Sequence, residues 1–139
     1  MTDFWLKALG TGTERLVDAW ADKKHGAGRK TLDKAVMFPR RPSIARGDRI
    51  VYSAAGSGLV FAEGEVVSFP YEDDSFSDST RRYPWWVNVR IDHRREFIHD
   101  GVPLDALSVD GRNLRKLMRR RSHVRLSPKE YRAALDALA

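Results

Sequence analysis

Residues 49–67, with the sequence RIVYSAAGSGLVFAEGEVV, decide the fold class. Two runs rich in β-branched and aromatic residues flank a turn of small residues at 54–58, a pattern that predicts a β-hairpin. Gly64 interrupts the second run, which predicts a bulge or a close backbone approach. Either feature lets the strand bend around a small barrel.

Further strands are predicted on both sides of this hairpin. Residues 4–9 form a short opening strand, and residues 85–91 form another. Alternation divides the side chains of the second strand between two faces: Trp85, Val87, Val89 and Ile91 face the core, and Trp86, Asn88 and Arg90 face the other way. Residues 96–98 add a short pairing strand, and the acidic, serine-rich residues 69–84 form a surface loop.

Helices are predicted near both ends of the chain. A capping-box pattern opens a helix over residues 11–24, and residues 31–37 add about one helical turn. Asp110 caps an amphipathic basic helix over residues 111–120, and a second capping box at Ser127 opens a closing helix. The pattern predicts one α+β domain that spans all 139 residues.

The composition indicates the cellular compartment that we expect for the protein. The sequence has no cysteine, which excludes disulfides, thiolate catalysis and sulfur-ligated metals and favours the cytoplasm. The N-terminus lacks the pattern of a signal peptide, and no run approaches the roughly 18 apolar residues of a membrane span. We therefore expect no membrane partner.

The charge favours an anionic partner. The 25 basic and 19 acidic residues give a net charge of +6 and a pI near 9.9, which is typical of proteins that bind DNA or RNA, although ordinary solubility explains the same net charge. The basic residues are concentrated in one segment: Arg112, Arg115, Lys116, Arg119, Arg120, Arg121 and Arg125. The candidates for contacts with a nucleic-acid backbone are Arg112, Arg115, Arg119 and Arg120.

The sequence offers little catalytic chemistry. The four histidines lie in unrelated segments, so no metal site is predicted, and no nucleotide-binding or nucleophile-elbow motif predicts a cofactor or a catalytic residue. Glu63 and Glu65 point to one face of a predicted strand, where paired carboxylates can act as acid and base. Solvated charges on a strand face are the favoured interpretation of this pair.

Aromatic side chains at strand ends indicate a pocket. Flat rings stack on nucleic-acid bases at about 1–3 kcal/mol per base, and neighbouring polar groups can then read the edge of the base. The candidates for the pocket are Trp5, Tyr52, Trp85 and Trp86, and those for its rim are Ser53, Phe69 and Tyr83. Core packing is the alternative for Trp5 and Trp85.

The segments Arg46-Gly-Asp-Arg-Ile-Val-Tyr-Ser53 and Phe61-Ala-Glu-Gly-Glu-Val-Val-Ser-Phe-Pro-Tyr71 resemble the EVE domain family of the PUA-like superfamily. Trp5 matches the tryptophan on the family's opening strand, and the region from 102 to 131 is similar to its ending. The segment after the opening strand departs from the family's Trp-Asp-Gly-Val-Arg-Asn signature. The resemblance implies a small, twisted, pseudo-barrel β-sheet flanked by helices, with a cleft suited to a modified base. Related YTH and SRA-type readers use aromatic cages for methylated bases.

Three functions remain open at the level of the sequence. The leading hypothesis is a non-catalytic nucleic-acid-binding module that captures a base, modified or not, between aromatic side chains. The second is an enzyme acting on nucleic acid or a nucleotide, which would draw its acids from Glu63, Glu65 or Asp92. The third is a protein-interaction adaptor that uses an exposed aromatic patch.

Overall fold

The computed structural model describes residues 2–9, 34–72, 85–119, 121 and 123–139. The helix predicted over residues 11–24 and most of the predicted surface loop lie outside these ranges. So do two candidate site residues, Tyr83 and Arg120. No helix in the described ranges is both long enough and apolar enough to cross a membrane.

Eight strands and two α-helices form within the described part of the chain. The strands are β1 (Phe4–Leu9), β2 (Lys34–Phe38), β3 (Arg49–Ala54), β4 (Leu59–Val66), β5 (Tyr71–Glu72), β6 (Trp85–Arg94), β7 (Val102–Pro103) and β8 (His123–Leu126). The helices are α1 (Leu114–Met118) and α2 (Pro128–Leu138), and two 3₁₀ turns lie at Ile98–Asp100 and Leu104–Leu107. This content confirms the predicted α+β class.

The strands form one mixed sheet with the order β2-β6-β4-β3-β1-β8, to which β5 adds on β6 and β7 on β4. The pairing of β1 with β3 is parallel, and the remaining pairs are antiparallel. Although β2 and β8 lie at opposite ends of this order, the rings of Phe38 and His123 are only 5.0 Å apart. The sheet is therefore curled into a twisted pseudo-barrel, as predicted.

The two faces of the sheet carry separate cores. The inner face packs around residues such as Ile50, Tyr52, Phe61, Val87 and Val89, and Trp85 and Ile91 pack against them. The outer face packs around residues such as Leu6, Val51, Leu107, Leu114 and Ala134 and is covered by α1, α2 and the second 3₁₀ turn. The predicted division of the 85–91 strand between two faces is thus confirmed for its core-facing side chains.

The hairpin of β3 and β4 forms as predicted, and Gly64 accounts for its bend. The pairing of β4 with β6 shifts register between Glu63 and Gly64, which is a β-bulge. A Cβ at Gly64 would also collide with the backbone carbonyl of Arg90, so the neighbouring strand approaches too closely for a side chain. Both alternatives predicted at this glycine occur together.

Three predicted elements are wrong in detail. Residues 34–38 form strand β2 rather than a helical turn, because pairing with β6 decides the backbone there. Residues 96–97 bend and Ile98 begins a 3₁₀ turn, which buries the Ile98 side chain in the inner core. The helix predicted from 111 begins only at Leu114, because Gly111 adopts a φ of 79° that no right-handed helix contains.

The caps of the two helices illustrate how local sequence sets their ends. Asn113, rather than Asp110, caps α1, and its side chain accepts a hydrogen bond from the backbone N–H of Lys116 at 3.0 Å. The capping box predicted for α2 is confirmed by reciprocal hydrogen bonds between Ser127 and Glu130, at 3.2 and 2.8 Å. Strand β8, which precedes this box, was not predicted.

Candidate functional site

The edges of the sheet approach each other along one line of the pseudo-barrel, where four side chains meet. The Nζ atom of Lys7 lies 4.8 Å from the centre of the Phe38 ring. The His123 ring lies 5.0 Å from that of Phe38 and 5.5 Å from that of Trp5. We call these four residues the seam: Trp5, Lys7, Phe38 and His123.

Strand alternation explains why these side chains share a face. Trp5 and Lys7 are two residues apart on β1, so both point to the inner face. In the antiparallel pairing of β1 with β8, Trp5 lies opposite Arg125 and Lys7 lies opposite His123. The seam therefore contains two basic groups against aromatic rings, and Arg125 continues it along β8.

Lys7 is the unusual group of the seam because it is only 6% exposed. Burial lowers its pKa to about 8, so the ammonium is still largely protonated at neutral pH. Burial, and secondarily the charge of Lys7, lower the pKa of His123 to about 4, so this imidazole is neutral. Among the described residues, no carboxylate forms an ion pair with Lys7.

The carboxylate nearest in the fold to Trp5 is already engaged. Asp48 is 2% exposed and accepts the indole N–H of Trp5 at 2.9 Å. It also accepts the backbone N–H groups of Ala45 at 2.9 Å and Asp3 at 3.1 Å. These bonds fix β1 against the turn before β3 and hold the Trp5 ring in the seam.

Two arginines extend the aromatic and cationic character of this side of the molecule. The guanidinium of Arg125 lies 5.0 Å from the Trp5 ring, and that of Arg41 lies 5.4 Å from the Trp85 ring. Trp85 pairs with Phe38 across β6 and β2, so both stacked pairs flank the seam. Arg125 also forms an exposed ion pair with Asp3 at 3.4 Å.

A second feature is an open cleft of about 660 Å³ beside α1. Its lining is strongly basic and consists of Arg112, Asn113, Lys116, Leu117, Arg119 and Arg121. Arg121, which lines the cleft, precedes the seam residue His123 by two positions in the sequence.

The cations in and beside the α1 cleft fall into two groups. Arg112 binds Glu130 at 2.6 and 3.1 Å and the carbonyl oxygen of Arg125 at 2.7 Å. Although burial alone would raise the pKa of Glu130, the hydrogen bonds from Arg112 lower it. Arg115 lies 3.6 Å from Asp105 and against the turn at Gly58. In the described part of the chain, Lys116, Arg119 and Arg121 form no ion pair.

The residues predicted to form one aromatic pocket are distributed over both faces of the sheet. Trp5 and Trp85 lie on the inner face at or beside the seam. Tyr52 is also on that face but is fully buried, where it stacks on Phe61 at 6.3 Å. Trp86 lies on the opposite face, and its buried indole N–H has no hydrogen-bond partner among the described residues.

The two predicted rim residues that the structure describes are also apart. Ser53 is 3% exposed on β3, where alternation directs it away from the face of Tyr52. Phe69 lies in the segment between β4 and β5 and is 65% exposed.

The acids considered for catalysis belong to a closed network on the outer face. Glu63 is fully buried and accepts hydrogen bonds from Arg49 at 2.7 Å, Tyr131 at 2.6 Å and the His93 ring at 2.8 Å. The interpretation of Glu63 as a solvated charge is wrong, because the helix α2 covers it. Glu65 is 36% exposed, in agreement with that interpretation.

Neighbouring groups complete this network. Arg90 and Arg49 hold Asp92 at 2.9 and 2.8 Å, and their hydrogen bonds outweigh burial and lower the pKa of its carboxyl. Burial, with the hydrogen bond to Glu63, raises the pKa of Tyr131 to about 12. We call this group the outer network: Arg49, Glu63, Glu65, Arg90, Asp92, His93 and Tyr131.

Sequence reasoning missed the most informative seam residues, which are Lys7, Phe38 and His123. A signal for Lys7 was present, since a lysine two residues from Trp5 on a predicted strand must share the face of the tryptophan. Phe38 and His123 gave no such signal, because β2 and β8 were not predicted as strands. Among the described residues, no three side chains are grouped to hold a metal ion.

Comparison with known proteins shows the fold. No family model and no curated protein matches the sequence. A hypothetical protein from Leishmania major superposes with a TM-score of 0.67 at 18% identity, covering 98% of this chain and 94% of that one. A Rhodopseudomonas palustris protein solved by NMR gives 0.64 at 13% identity, with coverages of 99% and 93%.

A third similar structure was solved with a bound ligand. The YTH domain of a Zygosaccharomyces rouxii protein, solved in complex with N6-methyladenosine RNA, superposes with a TM-score of 0.61 at 15% identity. The match covers 97% of this chain and 85% of that domain. The chain has a fold similar to that of a YTH domain. At sequence identities below 20%, these similarities show the fold alone.

Proposed function

We propose that this chain is a non-catalytic nucleic-acid-binding module, which captures a single base, modified or unmodified, at the seam. The observation that carries the proposal is the position of a buried ammonium against aromatic rings, and the basic cleft beside α1 supports it. We also propose that the chain belongs to the EVE branch of the PUA-like superfamily and acts in the cytoplasm.

The chemistry of the seam supports base capture. Aromatic faces stack on any base, and guanidinium groups such as Arg41 and Arg125 add planar surfaces above Trp85 and Trp5. The similar fold of a YTH domain in complex with N6-methyladenosine RNA supports the same class of ligand.

The α1 cleft supports contacts with the phosphates. Lys116, Arg119 and Arg121 line it without ion pairs to the described residues, so their charges are available to a polyanion. Arg112, by contrast, contacts Glu130, and Arg115 contacts Asp105, so we assign these two arginines a structural role. Arg120, which lies in the same run, remains a candidate for backbone contact.

The outer network supports a non-catalytic function. A general acid or base needs a free position within hydrogen-bond reach of its substrate. Glu63 is buried beneath α2, and the oxygens of Asp92 are held by two arginines. These carboxylates stabilise the fold rather than offering a site for proton transfer.

Charge reversal in the α1 cleft tests the proposal. The double variant Lys116→Glu with Arg119→Glu should weaken binding to a single-stranded oligonucleotide at least tenfold in low salt, because two phosphate contacts become repulsive. Binding can be followed by quenching of tryptophan fluorescence at two or more salt concentrations. For the unaltered protein, log Kd should change linearly with log salt.

The matched control reverses two charges elsewhere. Lys129→Glu with Arg132→Glu changes the net charge by the same amount on the exposed side of α2. This control should keep most of the affinity. Equal losses of affinity in the two double variants would show that only the net charge matters. If no oligonucleotide binds in low salt, the proposed function is rejected.

A protein-interaction adaptor is the second candidate, and one observation favours it. Val67, Phe69 and Tyr71 lie close together in the sequence and are 36%, 65% and 39% exposed. Contact with another protein would bury this apolar segment. Binding through it would barely respond to salt, whereas binding through the α1 cleft would weaken steeply.

A further inference from the structure

The buried ammonium of Lys7 bears on which base the seam accepts. Lys7 is 6% exposed, and its neighbours in the seam, Phe38 and Trp5, are 0% and 5% exposed. The contact of its Nζ atom with the Phe38 ring, at 4.8 Å, places the ammonium against the aromatic rings of the inner face. A mostly buried cation costs folding free energy, which makes Lys7 a candidate for binding a ligand.

Lys7 is the seam residue that carries a positive charge at neutral pH. The indole N–H of Trp5 is bonded to Asp48, which also accepts two backbone N–H groups. The imidazole of His123 is neutral and lies against the rings of Trp5 and Phe38. Lys7, with three N–H donors and no acceptor, therefore sets the polarity at this point.

This polarity distinguishes among the bases. Guanine presents two acceptors, O6 and N7, and uracil or thymine presents O4. Adenine keeps N7 but carries an amino donor in place of O6, and cytosine carries an amino donor in place of O4. An ammonium attracts acceptors and repels amino hydrogens. We propose that the seam selects a keto base, guanine or uracil/thymine, whose carbonyl oxygen accepts a hydrogen bond from Lys7.

The proposal rests on the function proposed above, and its test isolates the base from the backbone. Five single-stranded oligonucleotides of equal length are used, in which every sugar is abasic except a central one. The central position carries guanine, uracil, adenine or cytosine, and in the fifth strand it is abasic as well. All five carry the same phosphates, so differences in Kd report the base alone.

We expect the strand with guanine or uracil to bind roughly tenfold more tightly than those with adenine and cytosine, as one well-placed polar contact provides. The separate guanine and uracil arms identify which keto base is preferred. In Lys7→Met the preference should disappear, while the Kd of the fully abasic strand should not change. Lys7→Gln, which keeps a neutral donor, should retain part of the preference.

A second readout distinguishes recognition by the ammonium from a structural effect. The keto preference of the unaltered protein should decline as the pH rises above about 8, where Lys7 loses its proton, and Lys7→Gln should show no such decline. Thermal unfolding verifies that both variants are folded.

Three results would overturn the proposal. The first is equal binding of all four bases, the second is a preference for adenine or cytosine, and the third is a keto preference that survives in Lys7→Met. Each of these leaves nucleic-acid binding intact. Absence of binding by all five strands in low salt would instead reject the proposed function itself.

Discussion

The outer network and the seam both bury charge, but they do so in opposite ways. Around Glu63, each buried acid is matched by arginine, tyrosine or histidine at hydrogen-bond distance. At the seam, Lys7 meets aromatic rings and a neutral imidazole. In the part of the chain that the structure describes, the buried acid has cationic and hydrogen-bonding partners whereas Lys7 has no carboxylate partner. This difference separates the residues that stabilise the fold from those that we propose to bind.

The largest expected effect comes from breaking the outer network. Glu63→Gln should lower the free energy of unfolding by about 4 kcal/mol, because Arg49 then loses the buried carboxylate with which it forms an ion pair. Urea unfolding at pH 7 measures the change. The same substitution at Glu65, which is 36% exposed, should cost less than about 1 kcal/mol. Similar losses at the two positions would show that burial is not what distinguishes Glu63.

A change in the opposite direction is expected at the seam. The pKa of Lys7 in the folded protein, about 8, lies below its ordinary value of 10.5, so protonated Lys7 destabilises the fold at neutral pH. Lys7→Met should therefore raise the free energy of unfolding at pH 7 by about 3 kcal/mol, since one pKa unit corresponds to about 1.4 kcal/mol.

The dependence of this gain on pH follows from proton binding. Between pH 8 and 10.5 the unfolded chain holds a proton at Lys7 that the folded chain has lost, so the stability of the unaltered protein rises with pH in that window. The advantage of Lys7→Met should shrink over the same range. A variant that is less stable than the parent at pH 7 would contradict the account of Lys7 as a costly charge.

The α1 cleft contains both a paired and an unpaired arginine among the described residues. Arg112→Ala leaves the buried Glu130 carboxylate without its arginine and should cost about 2 kcal/mol, less than a fully buried pair because Arg112 is 41% exposed. Arg119→Ala should change stability by less than about 0.5 kcal/mol. Chemical denaturation compares the two variants side by side.

The same two variants should differ in the opposite sense in binding. Arg119→Ala should lower the slope of log Kd against log salt by about one unit, as expected for the loss of one phosphate contact. An unchanged slope would remove Arg119 from the proposed interface.

Local patterns in the sequence predicted the elements that depend on local chemistry. The hairpin, the bend at Gly64 and the capping box of α2 each follow from residues within a few positions of one another. Strand β2 was predicted as helix, because its conformation depends on pairing with β6 some 50 residues away. Residues 111–113 were predicted as helix, because the left-handed backbone of Gly111 is not evident from residue type alone.

The candidate site was harder to predict than the fold. The aromatic residues were identified from the sequence as candidates for one pocket. In the structure, Trp5 lies on the inner face of the sheet and Trp86 on the outer face. The sequence places Lys7 on the face of Trp5, but its other two neighbours, Phe38 and His123, come from opposite edges of the sheet. Curling of the sheet, which no short sequence window encodes, creates that arrangement.

The position of β1 also constrains how the molecule is made. This strand lies between β3 and β8, and its pairing with β8 joins residues 4–7 to residues 123–126. During translation β1 can pair with β8 only after residues 123–126 have left the ribosome. Contacts between such distant segments form slowly. We therefore expect the seam to be completed last, after the β3–β4 hairpin has formed.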